Sequence, residues 1–241
     1  MEQDQRLARI FGVLYLLTFI TSIPALLLYE PALRHPEAFA AGSGNVNKIY
    51  FAAFLELLLL LANVGTAVVI VPIMRRQFEM EVLSIGYVTV RILESTFILV
   101  GIVAMVTLAT LQQDTVGAAE ATVAYTLAAI KDWTFILGPG FMVGWGNGLI
   151  LGYMMYRTQL VPRPWPWLGL IGGPLIFISG TAVMFDGGHP SGSLQGLATI
   201  PEALWELFLG VYCTIWGFRR EAPILSETAR QGLKPVSPTA T

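Results

Sequence analysis

Arg91 and Glu94 lie well inside Val82–Leu111 (VLSIGYVTVRILESTFILVGIVAMVTLATL), a stretch otherwise apolar enough to cross a bilayer. At a rise of about 1.5 Å per residue, both stand more than two helical turns from the Val82 end. A charge at mid-bilayer costs about 2.5–3.5 kcal/mol on insertion scales, so each must turn inward and find a partner there. Their i, i+3 spacing places them on one helix face. Such a pair either staples helices together or forms part of a polar site. The choice depends on what else reaches the same depth.

Three more acids and an amide come close. Glu56 lies in the apolar run 51–73, and Asn63 shares its face at i+7. Glu202 follows Pro201 at a helix start, where both residue types are favoured. Glu206 is one turn further in, about 10 Å from that helix's outer end. Glu56, Glu94 and Glu206 can therefore approach a single Arg91, with Glu202 at the rim. One guanidinium neutralises one carboxylate or is shared by two. The excess acid must carry a proton, be solvated in a cavity or be matched by a bound cation. Glu56, Asn63, Arg91, Glu94, Glu202 and Glu206 are thus the expected ligand or ion site. The competing arrangement has Glu202 and Glu206 solvating a helix end, with Glu56 hydrogen-bonded to Arg91.

Composition supplies the elements that must hold these groups. Of 241 residues, 55% are hydrophobic and 12% charged, about half the charge of a soluble domain. The reading is an all-α polytopic membrane bundle whose first partner is the lipid bilayer. Six apolar segments have the length to span it, 10–29, 51–73, 85–109, 134–155, 166–184 and 198–218. The first follows Arg6 and Arg9 like a signal peptide, but it is too long for a signal core and reads as an uncleaved span. Residues 30–48 form a loop that has room for a short helix. The segment 115–132 is only moderately apolar, and Glu120, Lys131 and Asp132 predict an interfacial helix there. Residues 1–220 form one transmembrane domain, and 221–241 a polar tail expected to be disordered.

Lysine and arginine positions orient the spans. Ten (Arg6, Arg9, Arg75, Arg76, Arg157, Arg163, Arg219, Arg220, Arg230 and Lys234) fall on one side, against Arg34, Lys48 and Lys131 on the other. This asymmetry fits six spans with both termini cytoplasmic.

In the fourth span Gly140, Gly144, Gly148 and Gly152 make a small-residue row that admits a neighbouring backbone, either in the same chain or in a homodimer. Gly138-Pro139 before it should break or kink the helix. A net charge of −2 offers nothing to nucleic acid. The single Cys213 allows neither a disulfide nor a CxxC pair. His35 and His189 fall in loops, which leaves no haem ligand pair in the bundle, and there is no H-E-x-x-H. Lys48, Lys131 and Lys234 lie outside the six spans, which removes a Schiff-base lysine. His189 and Ser191 sit two apart in a glycine-rich turn, without an oriented base, and Asp186 with His189 is no more than a surface metal pair. No catalytic residue, metal or cofactor is predicted.

Three strings carry a family resemblance. They are Arg9-Ile10-Phe11-Gly12-Val13-Leu14-Tyr15-Leu16, then Arg91-Ile92-Leu93-Glu94, then Pro201-Glu202 through Glu206-Leu207-Phe208-Leu209-Gly210 to Gly217-Phe218-Arg219. With these the chain resembles a bacterial family of six-span membrane proteins known as domain of unknown function 4386. Trp216 stands where that likeness would place a lysine. The resemblance implies the six-span topology, singles out Glu56, Arg91, Glu94 and Glu206 again, and leaves activity open. Three functions fit the sequence. They are a proton- or cation-linked small-molecule transporter or ligand-binding protein, a structural or regulatory subunit associating through the glycine row, and an intramembrane acid–base enzyme.

Overall fold

The computed structural model describes residues 2–113, 120–185 and 193–226. Helix α1 (Glu2–Arg34) and the short α2 (Pro36–Ala40) lead into α3 (Val46–Met74) and α4 (Phe78–Gln113). A continuous rod, α5, follows. It comprises Glu120–Phe135, two wider π-helical stretches at Ile136–Met142 and Gly144–Leu151, and Gly152–Thr158. Helices α6 (Pro166–Phe185) and α7 (Ser193–Ile215) complete the bundle, and a 3₁₀ turn, Pro223–Leu225, ends it. No strand occurs among the described residues. Five helices (α1, α3, α4, α5 from Ala121, and α6) are long and apolar enough to cross a membrane. Helix α7, at 23 residues, has the length for a sixth crossing, but Glu202 and Glu206 dilute its apolar character.

Local chemistry sets the ends. Asn45 caps α3 by accepting the Asn47 N–H at 2.9 Å. Gln159, in the left-handed region at φ 57°, stops α5 ahead of two prolines. The helices run past their apolar stretches, α1 by almost a turn and a half beyond the expected Tyr29. Pro24, Pro31, Pro72, Pro139, Pro174 and Pro201 all sit within helices. Membrane helices tolerate this because neighbours and local rewinding satisfy the freed carbonyls.

The long helices pack as a closed ring, α1 on α3, α3 on α4, α4 on α5, α5 on α6, α6 on α7 and α7 back on α1. We call lower the end that carries residues 2–8, 75–77 and 217–226. It is densely filled by Phe11, Ile70, Met74, Met80, Met155, Cys213, Phe218, Ile224 and Leu225. The Arg219 N–H donates to the Leu160 carbonyl at 2.8 Å, and Asp4 pairs with Arg76, tying this end together. Near the upper end a second cluster forms around Tyr29, Phe39, Ile49 and Met105.

Three expectations are corrected. The segment expected as an interfacial helix is not separate over its described part, because 120–135 runs unbroken into the fourth span. Gly138-Pro139 does not break the rod; the missing Pro N–H is absorbed by π-helical winding. The row Gly140, Gly144, Gly148 and Gly152 is occupied within the chain. A Cβ on Gly144 would lie 2.7 Å from the Gly173 carbonyl oxygen, and one on Gly148 2.5 Å from Gly173 Cα, so α6, a neighbour in the same chain, packs on this row. The tail is not free from residue 221, since Ile224 and Leu225 are buried in the lower core. The turn containing Asp186, His189 and Ser191, and residues 227–241, lie outside the described residues.

Candidate functional site

The ring encloses a cavity of about 330 Å³ in its upper half, and Glu56, Asn63, Arg91, Glu94, Glu202 and Glu206 all line it. The α3 and α4 wall is built from Asn63, Arg91 and Glu94. Arg91 donates from Nη1 to Glu94 Oε2 and from Nη2 to Asn63 Oδ1, each at 2.7 Å, while its Nε reaches the Asn63 carbonyl at 3.3 Å. Asn63 Nδ2 returns a bond to Glu94 Oε1 at 2.9 Å. The three groups thus form a closed circuit with both carboxylate oxygens engaged, and Arg91 is only 2% exposed. The i, i+3 spacing carried the Arg91–Glu94 pair, and the circuit needs a planar fork that only arginine supplies.

Glu56 does not pair with Arg91. Its two oxygens accept from Lys131 Nζ at 2.6 and 2.7 Å, and Lys131, 4% exposed, also lies over the Tyr29 ring at 4.7 Å. Lys131 was expected outside the spans. It is inside because α5 is continuous, so the exclusion of a bundle lysine by location does not hold. Its ammonium is held by Glu56.

Below the cavity a second polar layer forms on the π-helical part of α5. Asn147 Oδ1 accepts from Tyr87 Oη at 2.9 Å, and Tyr15 Oη lies 3.2 Å away. Tyr15 and Tyr87 are themselves 2.7 Å apart. Two hydroxyl protons serve these three contacts, and Asn147 Oδ1 is the acceptor in two of them. Asn147 Nδ2 donates to Glu206 Oε1, and Trp205 Nε1 donates to the Asn147 carbonyl at 3.0 Å. Glu206 is thereby held from below while facing the cavity.

Glu202 is different. It is 1% exposed, and among the described residues neither of its oxygens has a hydrogen-bond partner. Gly172 makes the room, since a Cβ there would come within 3.0 Å of Glu202 Oε2. Gln195, two turns earlier on the same face of α7, also lines the cavity, its Oε1 buried and unpartnered among the described residues. Counting charges on the lining, Arg91 and Lys131 face Glu56, Glu94, Glu202 and Glu206. Two ion pairs form, and the α7 acids remain in excess.

Ile23, Leu26, Phe135 and Thr199 line the cavity and are exposed at the surface, which places its mouth between the upper parts of α1, α5 and α7. Sequence reasoning missed Lys131, Asn147, Tyr15, Tyr87 and Gln195. Asn147 had a readable signal, an amide inside the glycine row. Lys131 had one in the unbroken run Trp133-Thr134-Phe135 that follows it.

A ring of apolar helices around a buried polar cavity defines this as an all-α integral membrane bundle. More particularly, the chain belongs to the family described as Domain of unknown function (DUF4386), whose model matches residues 10–217. No curated protein and no solved structure matches the chain.

Proposed function

We propose that the protein binds and moves a small molecule across the bacterial inner membrane, linked to a proton or another cation, through the cavity lined by Glu56, Asn63, Arg91, Glu94, Glu202 and Glu206. One observation carries this reading. Glu202 keeps both carboxylate oxygens buried and unpartnered on the wall of a 330 Å³ space. In a purely structural staple such burial would go uncompensated, because an unsatisfied buried polar atom costs about 1–3 kcal/mol, and more if charged. In the Arg91–Glu94–Asn63 circuit and the Lys131–Glu56 pair each cation is matched by a carboxylate, and both serve as framework. Glu206, bonded on one side and open on the other, is the group placed to exchange a proton or cation.

The positive-inside asymmetry puts the lower end in the cytoplasm, so the dense core closes that side and the cavity belongs to the outer half. The test is proton or ion flux in vesicles reconstituted with the purified chain. Flux should appear in the native protein and vanish in Glu206→Gln. Flux of equal size in the variant removes the reading.

A further inference from the structure

Resting on the ligand cavity proposed above, we infer that its ligand is an organic cation, an ammonium head on an apolar body, whose head is received by the Gln195–Glu202–Glu206 face of α7. The first ground is what the cavity leaves unsatisfied. Glu202 Oε1, Glu202 Oε2 and Gln195 Oε1 are buried acceptors without donors among the described residues, and all belong to side chains lining the space. Spacings of seven and four residues put Gln195, Glu202 and Glu206 on one face of α7. An ammonium supplies up to three N–H donors and a positive charge at once.

The second ground is what the cavity has already used. An anionic head would need a free cation, but Arg91 is bound to Glu94 and Asn63, and Lys131 to both oxygens of Glu56. The two acids left over on the lining, Glu202 and Glu206, can take only a neutral or a negative form. A metal ion is a poor fit, because no group of three acids, histidines or cysteines that could hold one occurs among the described residues. The third ground is the mouth, whose rim of Ile23, Leu26 and Phe135 suits a hydrocarbon body and passage from the lipid.

The experiment uses the full chain in phosphatidylcholine nanodiscs, titrated calorimetrically with n-hexylammonium, n-hexanol and n-hexanoate, three probes with one apolar body. Hexylammonium should bind saturably and at least about tenfold more tightly than the other two, the margin of a charge-assisted hydrogen bond in a buried site. Glu202→Gln, which keeps the shape, should lose at least about tenfold for hexylammonium and leave hexanol unchanged. Gln195→Met provides a second variant should the first fail to fold, with a loss of about three- to tenfold. Hexanoate or hexanol binding as tightly as hexylammonium overturns the assignment, as does hexylammonium affinity within twofold of native in the folded variants. Glu206-dependent flux without hexylammonium binding sinks the cation assignment alone. Absence of both sinks it together with the transport reading.

Discussion

Replacing Lys131 by methionine keeps the length of the side chain and removes its charge. Glu56, 8% exposed, would then lose both hydrogen bonds from the Lys131 ammonium, at 2.6 and 2.7 Å. Breaking a buried ion pair from one side costs about 3–5 kcal/mol, because the remaining charge is stranded. For a chain of this size each kcal/mol is worth about 2–4 °C, so the melting midpoint should fall by about 6–20 °C. Removing both partners, as Lys131→Met with Glu56→Met, deletes the stranded charge and should recover most of the loss, since apolar replacement of a buried pair is commonly neutral. A double-mutant cycle of thermal unfolding in detergent, followed by circular dichroism, reads this non-additivity directly. A lysine at the headgroup level would behave otherwise, with an exposed pair worth at most about 1 kcal/mol. A single variant melting within about 4 °C of the native chain would refute the buried placement of Lys131, and so would additive losses in the double variant.

Arg91→Lys retains charge but cannot reach Glu94 and both Asn63 oxygens together, so it should destabilise by about 1–3 kcal/mol; unchanged melting would contradict the circuit. Gly148→Ala sets a Cβ against the Gly173 and Gly169 backbone and should cost about 1–3 kcal/mol in size-exclusion-pure monomer or dimer alike. Gly86→Ala meets only Ile150 Cδ1 at 3.9 Å and should be neutral or stabilising by up to about 1 kcal/mol. Equal melting of the two glycine variants would contradict the α5–α6 contact. Cys213 is buried, so it offers a quiet background for labelling. A membrane-impermeant maleimide applied to intact cells should modify Ser43→Cys and spare Arg220→Cys, both exposed positions; the reverse pattern would invert the proposed orientation.

The fold was legible wherever apolar length decided it. Five of the six expected spans correspond to long apolar helices, and the stretch of α7 was placed as well, because hydrocarbon demands about 20 apolar residues and the chain supplies them in blocks. The segment before the fourth span was misread for a physical reason. Lys131 and Asp132 count as polar in any transfer scale, yet Lys131 is neutralised by Glu56, 75 positions away, and that partner is invisible locally. The same blindness affected the site. Arg91 and Glu94 are three apart and announce their pairing, whereas Asn147 joins Tyr15, Tyr87, Trp205 and Glu206 through ring closure alone. Glu202 was read as a rim group because it opens a helix turn after Pro201. Its burial depends on Gly172 of another helix, which no spacing on α7 reveals.

The 3₁₀ turn Pro223–Leu225 has a practical corollary for anyone labelling this protein. Ile224 and Leu225 are clamped among the lower ends of the helices, so this turn is an anchored post instead of a swinging tether. A fluorophore attached at the exposed Ser226 would report tumbling of the whole particle through its anisotropy.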